Sequence, residues 1–456
     1  MIRNPRYLSL LIKRKRYDWS YLPVVCLKNA FISLLRFIVL RYVKHKRIRS
    51  FYTLLHIQDQ LLKIVYPYPL SLSLQRATAK AIGRTLLTEG SAYFSLTEDG
   101  KNFEQDVQYL KKHGGIVLKA PRLNGKQVIE RGALLLVFTE LFLTFRRCVD
   151  VATVLQHYFL ILEPSWSGCT NHNILYFTRF RDQPIIVMAP EKRDYDFLQT
   201  LGTNLIPVSF GCGDWVNPSI FRPLKDQGKR YDAVMVARWG IYKRHHVLFR
   251  VLRKLRNPSF KVALVADPWP ANREEIEKLI DFYGVRENID IFENLKAEEV
   301  NKIMNQSKVN LLLSLQEGGN RALFEGFFAG LPGLALKNNI GIPKDYFNPQ
   351  TGKLISEKDL KLELLYFREH WTDFNPRAWA EANITPEITT AKLNALLKNL
   401  AHQWGEEWTH DLVAKSNCPN LMYYPDESVS KGLFSMGDLL SQHARSTEIV
   451  DLLQRS

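Results

Sequence analysis

The sequence has 456 residues, with 62 Lys and Arg against 46 Asp and Glu, and 46% of its residues are hydrophobic. This composition is that of a globular protein and excludes a disordered or fibrous chain. Residues 1–50 hold thirteen of the basic residues and a single acid, Asp18, so the rest of the chain is close to neutral. A nearly neutral body argues against a general nucleic-acid-binding protein. The five cysteines are scattered without a C-x-x-C pair, which favours a reducing compartment over a disulfide framework or a zinc site.

The segment 24–43 is strongly apolar, but its uncharged stretches are too short to span a membrane. Basic runs flank it at 13–16 and 44–49, and anionic membrane surfaces attract such runs. The pattern predicts that residues 1–65 form a basic amphipathic extension that lies in the plane of a membrane surface. A core helix with solvated basic ends is the alternative interpretation.

From residue 114 onward, short apolar runs alternate with helical or polar stretches. Within the runs the aliphatic and β-branched residues are continuous, which is typical of parallel strands buried on both faces. The runs are 114–121, 132–138, 158–164, 184–190 and 204–210 in a first series, and 231–239, 260–267, 288–294, 309–315 and 331–337 in a second. Two such series joined by a Gly/Pro-rich connector predict an α/β protein with two Rossmann-like domains that face each other across a cleft.

The expected organisation has five parts. They are the basic extension 1–65, an N-terminal Rossmann-like domain with a helical lead-in at 66–210, a connector at 211–230, a C-terminal Rossmann-like domain at 231–410, and a helical tail at 411–456.

The segment 309–336 contains the most informative pattern. A strand is followed by Glu317, Gly318 and Gly319, then by a helix that contains Glu325 and ends at a G-x-P stop. Bare backbone amides at the start of a helix favour a phosphate or another oxyanion, and the carboxyl edge of such a sheet is where α/β folds bind ligands. The alternative is that Glu317 only caps the helix and Glu325 is solvated.

Two cations, Arg238 and Lys243, follow the first strand of the second series. They are expected at the same sheet edge as Glu317, where a guanidinium and an ammonium suit the two charges of a diphosphate. Solvated surface bases are the alternative.

Together these segments resemble the retaining glycosyltransferases of family 4, glycosyl transferases group 1, which have the two-domain GT-B fold. GCGDWVNPSIFRP at 211–223 looks like the family's G-x-D…F-x-P stretch, and VARWGIYKR at 236–244 looks like its G-R-x(4)-K loop. EGGNRALFEGFFAGLP at 317–332 looks like its E-x7-E signature with the following A-x-G-x-P. The resemblance covers 205–340 well, and 114–410 in architecture.

The resemblance implies a role in catalysis for four residues. Glu317 would contact hydroxyls of the donor sugar, and Arg238 and Lys243 would neutralise the departing diphosphate, so that no metal is required. The family often has a histidine from the first domain near the donor sugar, and His172 is the candidate here.

The resemblance also implies the residues that bind the co-substrate, a UDP- or GDP-linked sugar; no other cofactor is expected. Glu325 would hold the ribose, and Gly318, Gly319 and Asn320 would present backbone amides to the sugar and phosphates.

Three departures from the family pattern concern the same loops. Ala237 replaces the usual glycine before the arginine, the turn 266–270 reads ADPWP instead of being Gly-rich, and the second glycine of E-G-G-N is moved forward from E-G-F-G. They put the base-contacting loop and the sugar contacts in question.

The loop 162–172 follows an apolar strand and combines a carboxylate, hydroxyls and an aromatic ring, a mixture that suits carbohydrate. The candidate residues at this edge are Glu163, Ser165, Trp166, Ser167 and His172, with Glu140, Glu191, Lys192 and Arg193 from neighbouring loops. Trp166 as a core residue and His172 as an ordinary loop residue are the alternatives. Asp214 in the connector is expected to fix a turn.

The sequence therefore predicts a hexosyltransferase-type enzyme that moves a sugar from a nucleotide-diphosphate sugar to an acceptor hydroxyl with retention, in surface glycan or polysaccharide synthesis. Its expected partners are a glycan or lipid-linked acceptor and an anionic membrane surface, with no nucleic acid, at the cytoplasmic face of the membrane. A GT-B nucleotide-sugar epimerase is one alternative. A non-enzymatic membrane- or nucleic-acid-binding protein is another.

Overall fold

A computed structural model describes residues 103–455, with gaps at 166–167, 170, 226, 269–271, 419–420 and 426–427, and residues 9, 11–14 and 34. Most of the predicted extension 1–65 therefore lies outside the described residues, as do Trp166 and Ser167. Within the described ranges, no helix combines the length and apolar character that crossing a membrane requires.

The chain divides into two compact units. The C-terminal unit contains Cys212–Pro386 with the described residues of Met1–Leu22 and Asn417–Asn420. The N-terminal unit contains the described residues of Pro23–Gly211, Glu387–Ser416 and Leu421–Ser456. The end of the chain thus clusters with the first series of strands and not with the second.

The N-terminal unit is built on a five-stranded sheet with the order β1-β4-β5-β6-β7. Strands β4 to β7 pair in parallel, as the continuous apolar runs predict, whereas β1 pairs antiparallel with β4. The elements of this part are α1 (Phe103–His113), β1 (Gly115–Lys119), β2 (Arg122–Asn124), β3 (Gln127–Glu130), β4 (Gly132–Val137), α2 (Leu141–Cys148), α3 (Val151–His157), β5 (Tyr158–Glu163), α4 (His172–Leu175), β6 (Ile185–Met188), α5 (Lys192–Leu201) and β7 (Leu205–Val208).

The C-terminal unit is built on a six-stranded sheet with the order β10-β9-β8-β11-β12-β13, in which the described pairings are all parallel. Its elements are β8 (Ala233–Val236), α6 (His245–Leu255), β9 (Val262–Ala266), α7 (Arg273–Tyr283), β10 (Ile289–Glu293), α8 (Ala297–Asn305), β11 (Asn310–Leu312), α9 (Arg321–Phe328), β12 (Gly333–Leu336), β13 (Gly352–Ile355), α10 (Leu360–His370) and α11 (Pro376–Asn383). The α/β class with predominantly parallel sheets is confirmed.

The last part of the chain adds helices to the N-terminal unit. Its elements are α12 (Pro386–Gln403), β14 (Ser416–Cys418), β15 (Leu421–Tyr423), α13 (Met436–Gln442) and α14 (Thr447–Gln454). Met436, Leu439 and Leu453 from α13 and α14 are buried in the same apolar core as α1 and β1. Burial of these side chains explains why the end of the chain packs on the N-terminal unit, because each buried side chain contributes roughly 1.5–3 kcal/mol to the stability of the fold.

A buried ionic cluster fixes the segment after α12 to β1 and β3. Glu130 accepts hydrogen bonds from Lys119 Nζ at 2.5 Å and from the backbone N–H and hydroxyl of Thr409 at 2.8 and 2.6 Å. Burial raises the pKa of Glu130, but these donors outweigh it and lower the pKa to about 2. Lys119 Nζ also lies 3.1 Å from the ring centroid of Trp408. A carboxylate with this many donors stays charged although its side chain is fully buried.

Strand order also places the site. Strands β8, β9 and β10 extend the C-terminal sheet in one direction, and β11, β12 and β13 extend it in the other. The order in which the strands are added to the sheet therefore reverses between β8 and β11. Ligands of open α/β sheets bind beyond the carboxyl ends of the strands at such a switch point.

Candidate active site

The carboxyl ends of β8 and β11 bring two predicted residues into contact. The strands are neighbours, with Asn310 opposite Val234. The chain leaving β8 forms a short 3-10 turn, Ile241–Lys243, and the chain leaving β11 leads to Glu317. Parallel strands end at the same edge, so residues 74 positions apart meet there.

Lys243 binds both oxygens of Glu317. The distances from Lys243 Nζ to Glu317 Oε1 and Oε2 are 2.8 and 2.9 Å, and the hydroxyl of Ser314 donates to Oε1 at 2.5 Å. Glu317 is only 5% exposed. An ion pair shielded in this way is stronger than a surface pair, because water screens it less.

The backbone around Glu317 is fixed by the segment that follows β12. The N–H of Glu317 donates to Ile340 O at 2.8 Å, and the N–H of Ile340 donates to Leu315 O at 2.9 Å. Glu317 therefore extends the edge of the sheet and does not cap α9; the cap is provided by Asn320.

Arg244 fixes the neighbouring loop that carries Lys243. Its backbone is left-handed at φ 60°, its guanidinium is buried, and it donates to Leu313 O at 3.2 Å and to Glu357 Oε2 at 2.6 Å. Burial raises the pKa of Glu357, but Arg244 and Arg250 outweigh this and lower it below its ordinary value. Glu357 therefore remains an anion that holds the loop after β8.

The turn before α9 has a backbone that few residues adopt. Gly319 has φ +124°, and a Cβ added there would lie 2.8 Å from Cys212 Sγ. Asn320 has φ 50°, and its side-chain oxygen accepts the N–H of Leu323 at 3.1 Å, which makes it the N-cap of α9. The side chain of Asn320 is thus occupied by the helix. Its backbone amide and that of Gly318 stay candidates for an anion contact.

Glu325 is buried in α9. It is 2% exposed and accepts a hydrogen bond from Arg321 Nε at 3.0 Å. Burial raises the pKa of Glu325, and Arg321 opposes the rise only in part. Glu325 is therefore not a solvated helix residue, and that alternative interpretation is wrong.

Arg238 lies two residues beyond β8 and is half-exposed. Its Nε lies 3.3 Å from Asp267 Oδ2, and Asp267 follows β9, the next strand in the sheet. The neighbouring indole of Trp239 is fully buried and donates to Glu293 Oε1 at 2.6 Å. Arg238 therefore lies at the same sheet edge as Lys243 but with a different carboxylate partner.

Asp214, the predicted turn residue of the connector, contacts a distant part of the chain. It lies in the 3-10 turn Cys212–Trp215 and accepts the hydroxyl of Tyr346 at 2.6 Å. Burial, followed by the charge of Asp214, raises the pKa of Tyr346 well above its ordinary value. Next to it, a Cβ on Gly213 would lie 2.1 Å from the ring of Phe324, so the turn packs directly on α9.

Only some of the candidate site residues of the N-terminal unit contact one another. His172 begins α4, but its side chain lies outside the described part of the structure. Ser165 donates to Glu140 Oε2 at 3.0 Å, and Glu163 pairs with the buried Lys415 at 3.2 Å. Of the three charged candidates that follow β6, Glu191 and Arg193 lie 3.5 Å apart and are largely shielded, whereas Lys192 forms an exposed pair with Asp196.

Sequence reasoning missed Ser314, Asn339, Arg244 and Glu357. Ser314 contacts Glu317, Asn339 contacts Ser314, and Arg244 pairs with Glu357 beside Lys243. No local sequence motif identifies these residues. A signal was present for Ser314 only, as a polar residue inside the apolar run 309–315. In the described residues, no cluster of three or more His, Cys, Asp or Glu side chains is arranged to hold a metal ion.

One known family is similar to the part of the chain that contains these residues. Residues 216–362 match the family model described as Glycosyl transferases group 1. These residues include Arg238, Lys243, Glu317 and Glu325. This part of the chain is similar to a glycosyl transferases group 1 domain. A comparison with curated protein sequences finds no match.

The chain is also similar to solved structures, and three of them have low sequence identity to it. One is the pneumococcal O-GlcNAc transferase GtfA in complex with UDP and GlcNAc (17% identity, 57% of this chain, 55% of the other, TM-score 0.45). Another is sucrose-phosphate synthase from Thermosynechococcus elongatus (12%, 75%, 82%, 0.48). A third is Anabaena HepE in complex with UDP and glucose (13%, 59%, 78%, 0.46). The chain spans little more than half the length of the first of these.

Proposed function

We propose that this chain is a retaining, metal-independent glycosyltransferase of family 4 that transfers a hexose from a UDP- or GDP-linked donor to an acceptor hydroxyl. The bond between the anomeric carbon and the diphosphate breaks, and a bond to the acceptor oxygen forms on the same face of the sugar. The acceptor is a glycan or a lipid-linked saccharide, in surface glycan or polysaccharide synthesis.

The contact between Lys243 and Glu317 carries the proposal. It places a shielded ammonium and a shielded carboxylate within 2.8 Å of each other at the switch point of the sheet. A departing diphosphate needs fixed positive charge, and a sugar needs carboxylate acceptors for its hydroxyls. The pair supplies both kinds of group at one place.

The other site residues support the same chemistry. Arg238 adds a second cation at the same sheet edge, and the backbone amides of Gly318, Gly319 and Asn320 are suited to phosphate or sugar oxygens. Glu325 is suited to the vicinal hydroxyls of a ribose, as carboxylates are in dinucleotide-binding folds. His172 is the proposed contribution of the N-terminal unit to the donor sugar.

A thermal-shift screen of UDP- and GDP-sugars tests the proposal, because a true donor stabilises the folded chain by mass action. We expect one nucleotide to raise the melting temperature and its sugar to be transferred to a glycan acceptor with retained anomeric configuration, measured by NMR. No stabilisation by any nucleotide sugar would overturn the proposal. Conversion of the donor to another sugar without acceptor would instead identify the epimerase.

We also propose that the basic extension holds the enzyme on the cytoplasmic face of a membrane. Its charge excess supports this, at about 1 kcal/mol for each basic residue near an anionic surface. Flotation with anionic liposomes should recover the full chain but not a chain lacking residues 1–50. Equal recovery of both chains would contradict the proposal.

A further inference from the structure

Two fully buried polar residues, Ser314 and Asn339, form a layer directly beneath Glu317. The hydroxyl of Ser314 donates to Glu317 Oε1 at 2.5 Å. Asn339 Nδ2 donates to Ser314 O at 2.8 Å and lies 3.4 Å from Ser314 Oγ. The three side chains form a chain of contacts that runs from the interior of the unit to the carboxylate.

The backbone fixes both residues of this layer. Ser314 lies two residues beyond β11 and Asn339 three residues beyond β12, and these strands are parallel neighbours. The N–H of Asn339 donates to Leu336 O at 2.9 Å, so a turn holds the asparagine at the end of its strand. The hydrogen bonds that the Ser314 hydroxyl and Asn339 Nδ2 donate restrict the positions of both side chains.

We infer that Ser314 and Asn339 are positioning residues that hold the carboxylate of Glu317 toward the donor sugar. The inference rests on the proposed function. Lys243 is the other holder of Glu317, and in the proposed reaction it must also serve the diphosphate. Ser314 has no such second duty, so its hydrogen bond is the one that keeps Oε1 in place while Lys243 engages phosphate.

A purely structural role predicts a different result from a positioning role. If the layer only stabilises the fold, its removal lowers the melting temperature and leaves the enzyme's preference among sugars unchanged. If it orients Glu317, its removal weakens the contribution of the sugar to donor binding and leaves the contribution of the nucleotide to binding unchanged. The two roles therefore separate when binding of UDP is compared with binding of UDP-glucose, and binding of GDP with that of GDP-mannose.

The experiment measures the dissociation constants of these four probes by titration calorimetry, and the rate of nucleotide release from each sugar donor. Ser314→Ala should keep the nucleotide constant within about twofold, whereas the release rate should fall about 10- to 100-fold, as expected for a lost hydrogen bond to a charged group. Ser314→Thr, which retains the hydroxyl, should recover most of the rate. Asn339→Leu, which has similar volume and no donor, should produce a smaller loss of the same kind.

Ser307→Ala is the matched control. Ser307 is also fully buried in this unit, but its hydroxyl donates at 2.7 Å to the backbone oxygen of Ile303, a residue of α8. It should lower the melting temperature without changing the release rate. If Ser314→Ala does not fold, Ser314→Cys keeps the volume with a weaker donor and takes its place.

The outcomes separate the inference from the proposed function. A wild-type chain that binds none of the four probes overturns the proposed function. A wild-type chain that releases nucleotide from a donor, with a Ser314→Ala variant of equal rate, overturns only the inference. Equal losses for nucleotide and nucleotide sugar, or rates that follow the melting temperature in Ser314→Ala and Ser307→Ala alike, also overturn it, because the layer is then structural.

Discussion

At the scale of single residues, the position of the Glu317 carboxylate depends on its two donors. Its carboxylate is shielded, and it contacts Lys243 and Ser314. Because a shielded charge is stable only with partners, each partner of Glu317 has a consequence that can be measured. The same holds for Glu325, whose described partner is Arg321.

Lys243→Ala is expected to reduce turnover about 100-fold or more, because a cation directed at the leaving group acts mainly in the transition state. Nucleotide affinity should change less than turnover does. Initial rates and calorimetric titration with UDP and GDP measure the two effects. The control is Lys308→Ala, since Lys308 forms a similarly shielded pair with Asp232 at 3.0 Å. A Lys243→Ala variant with normal turnover would contradict the leaving-group role.

Glu325→Ala is expected to lower nucleotide affinity about 10- to 100-fold, the range for hydrogen bonds to a charged group. Wild-type chain should bind 2′-deoxy-UDP more weakly than UDP, and the variant should not distinguish the two. Glu363→Ala, which removes a half-buried partner of Lys353, provides the control. Unchanged binding of UDP and GDP by Glu325→Ala would refute the ribose role.

At the scale of elements, the turn between β11 and α9 combines a conformational and a steric requirement. Gly319 has a left-handed backbone and lies close to Cys212, a residue of the connector. Glycine is the residue that adopts this backbone without strain, and here the missing side chain is also needed for close packing. The connector and the signature helix therefore depend on each other.

Gly319→Ala should destabilise the C-terminal unit by about 1–3 kcal/mol, the usual range for a strained backbone, and should also reduce donor binding. Adding Cys212→Ala should recover the steric part and leave the conformational part. Thermal unfolding with and without UDP measures both. Gly284→Ala is the matched control, because Gly284 has φ +64° and open space at its Cβ. An equal loss in the two single variants would show that contact with Cys212 is unimportant.

The elements themselves could largely be predicted. Each of the ten apolar runs contains a strand, because continuous aliphatic residues fit sheets covered on both faces. The antiparallel pairing of β1 could not be predicted, since an edge strand and a central strand have the same apolar pattern here. The contacts of Ser314 with Asn339 and of Arg244 with Glu357 could not be predicted either. They join residues on different strands and loops, and only strand order determines which of these meet.

At the scale of the whole molecule, the sequence could predict two α/β series but not which series the chain end joins. Glu130 and Thr409 are 279 positions apart, and beside their contact the buried Lys119 also lies against the ring of Trp408. Charge was more informative. The excess of basic residues lies in the first 50 positions, so the body has individual cations such as Lys243 in place of a basic surface.

Stability of the C-terminal unit should depend on pH through His245. Its ring is fully buried against Trp239. Burial, and then the charges of Arg14, His246 and Lys243, lower its pKa well below the ordinary value, against a smaller opposing effect of Ala237. On unfolding, His245 takes up a proton below about pH 6.5. The unfolded state then binds more protons than the folded state. The free energy of unfolding is therefore not reduced by His245 above that pH, and it falls as pH decreases below it.

We therefore expect the melting temperature of this unit to fall between pH 7.5 and pH 5.5, with a contribution from His245 of at most about 1.4 kcal/mol per pH unit. His245→Phe retains a ring against Trp239 but cannot titrate, so its melting temperature should depend less steeply on pH. His245→Gln is the alternative if the phenylalanine variant does not fold. His370→Phe, at an exposed histidine paired with Asp373, should keep the wild-type slope. An unchanged slope in both His245 variants would mean that other groups set the pH dependence.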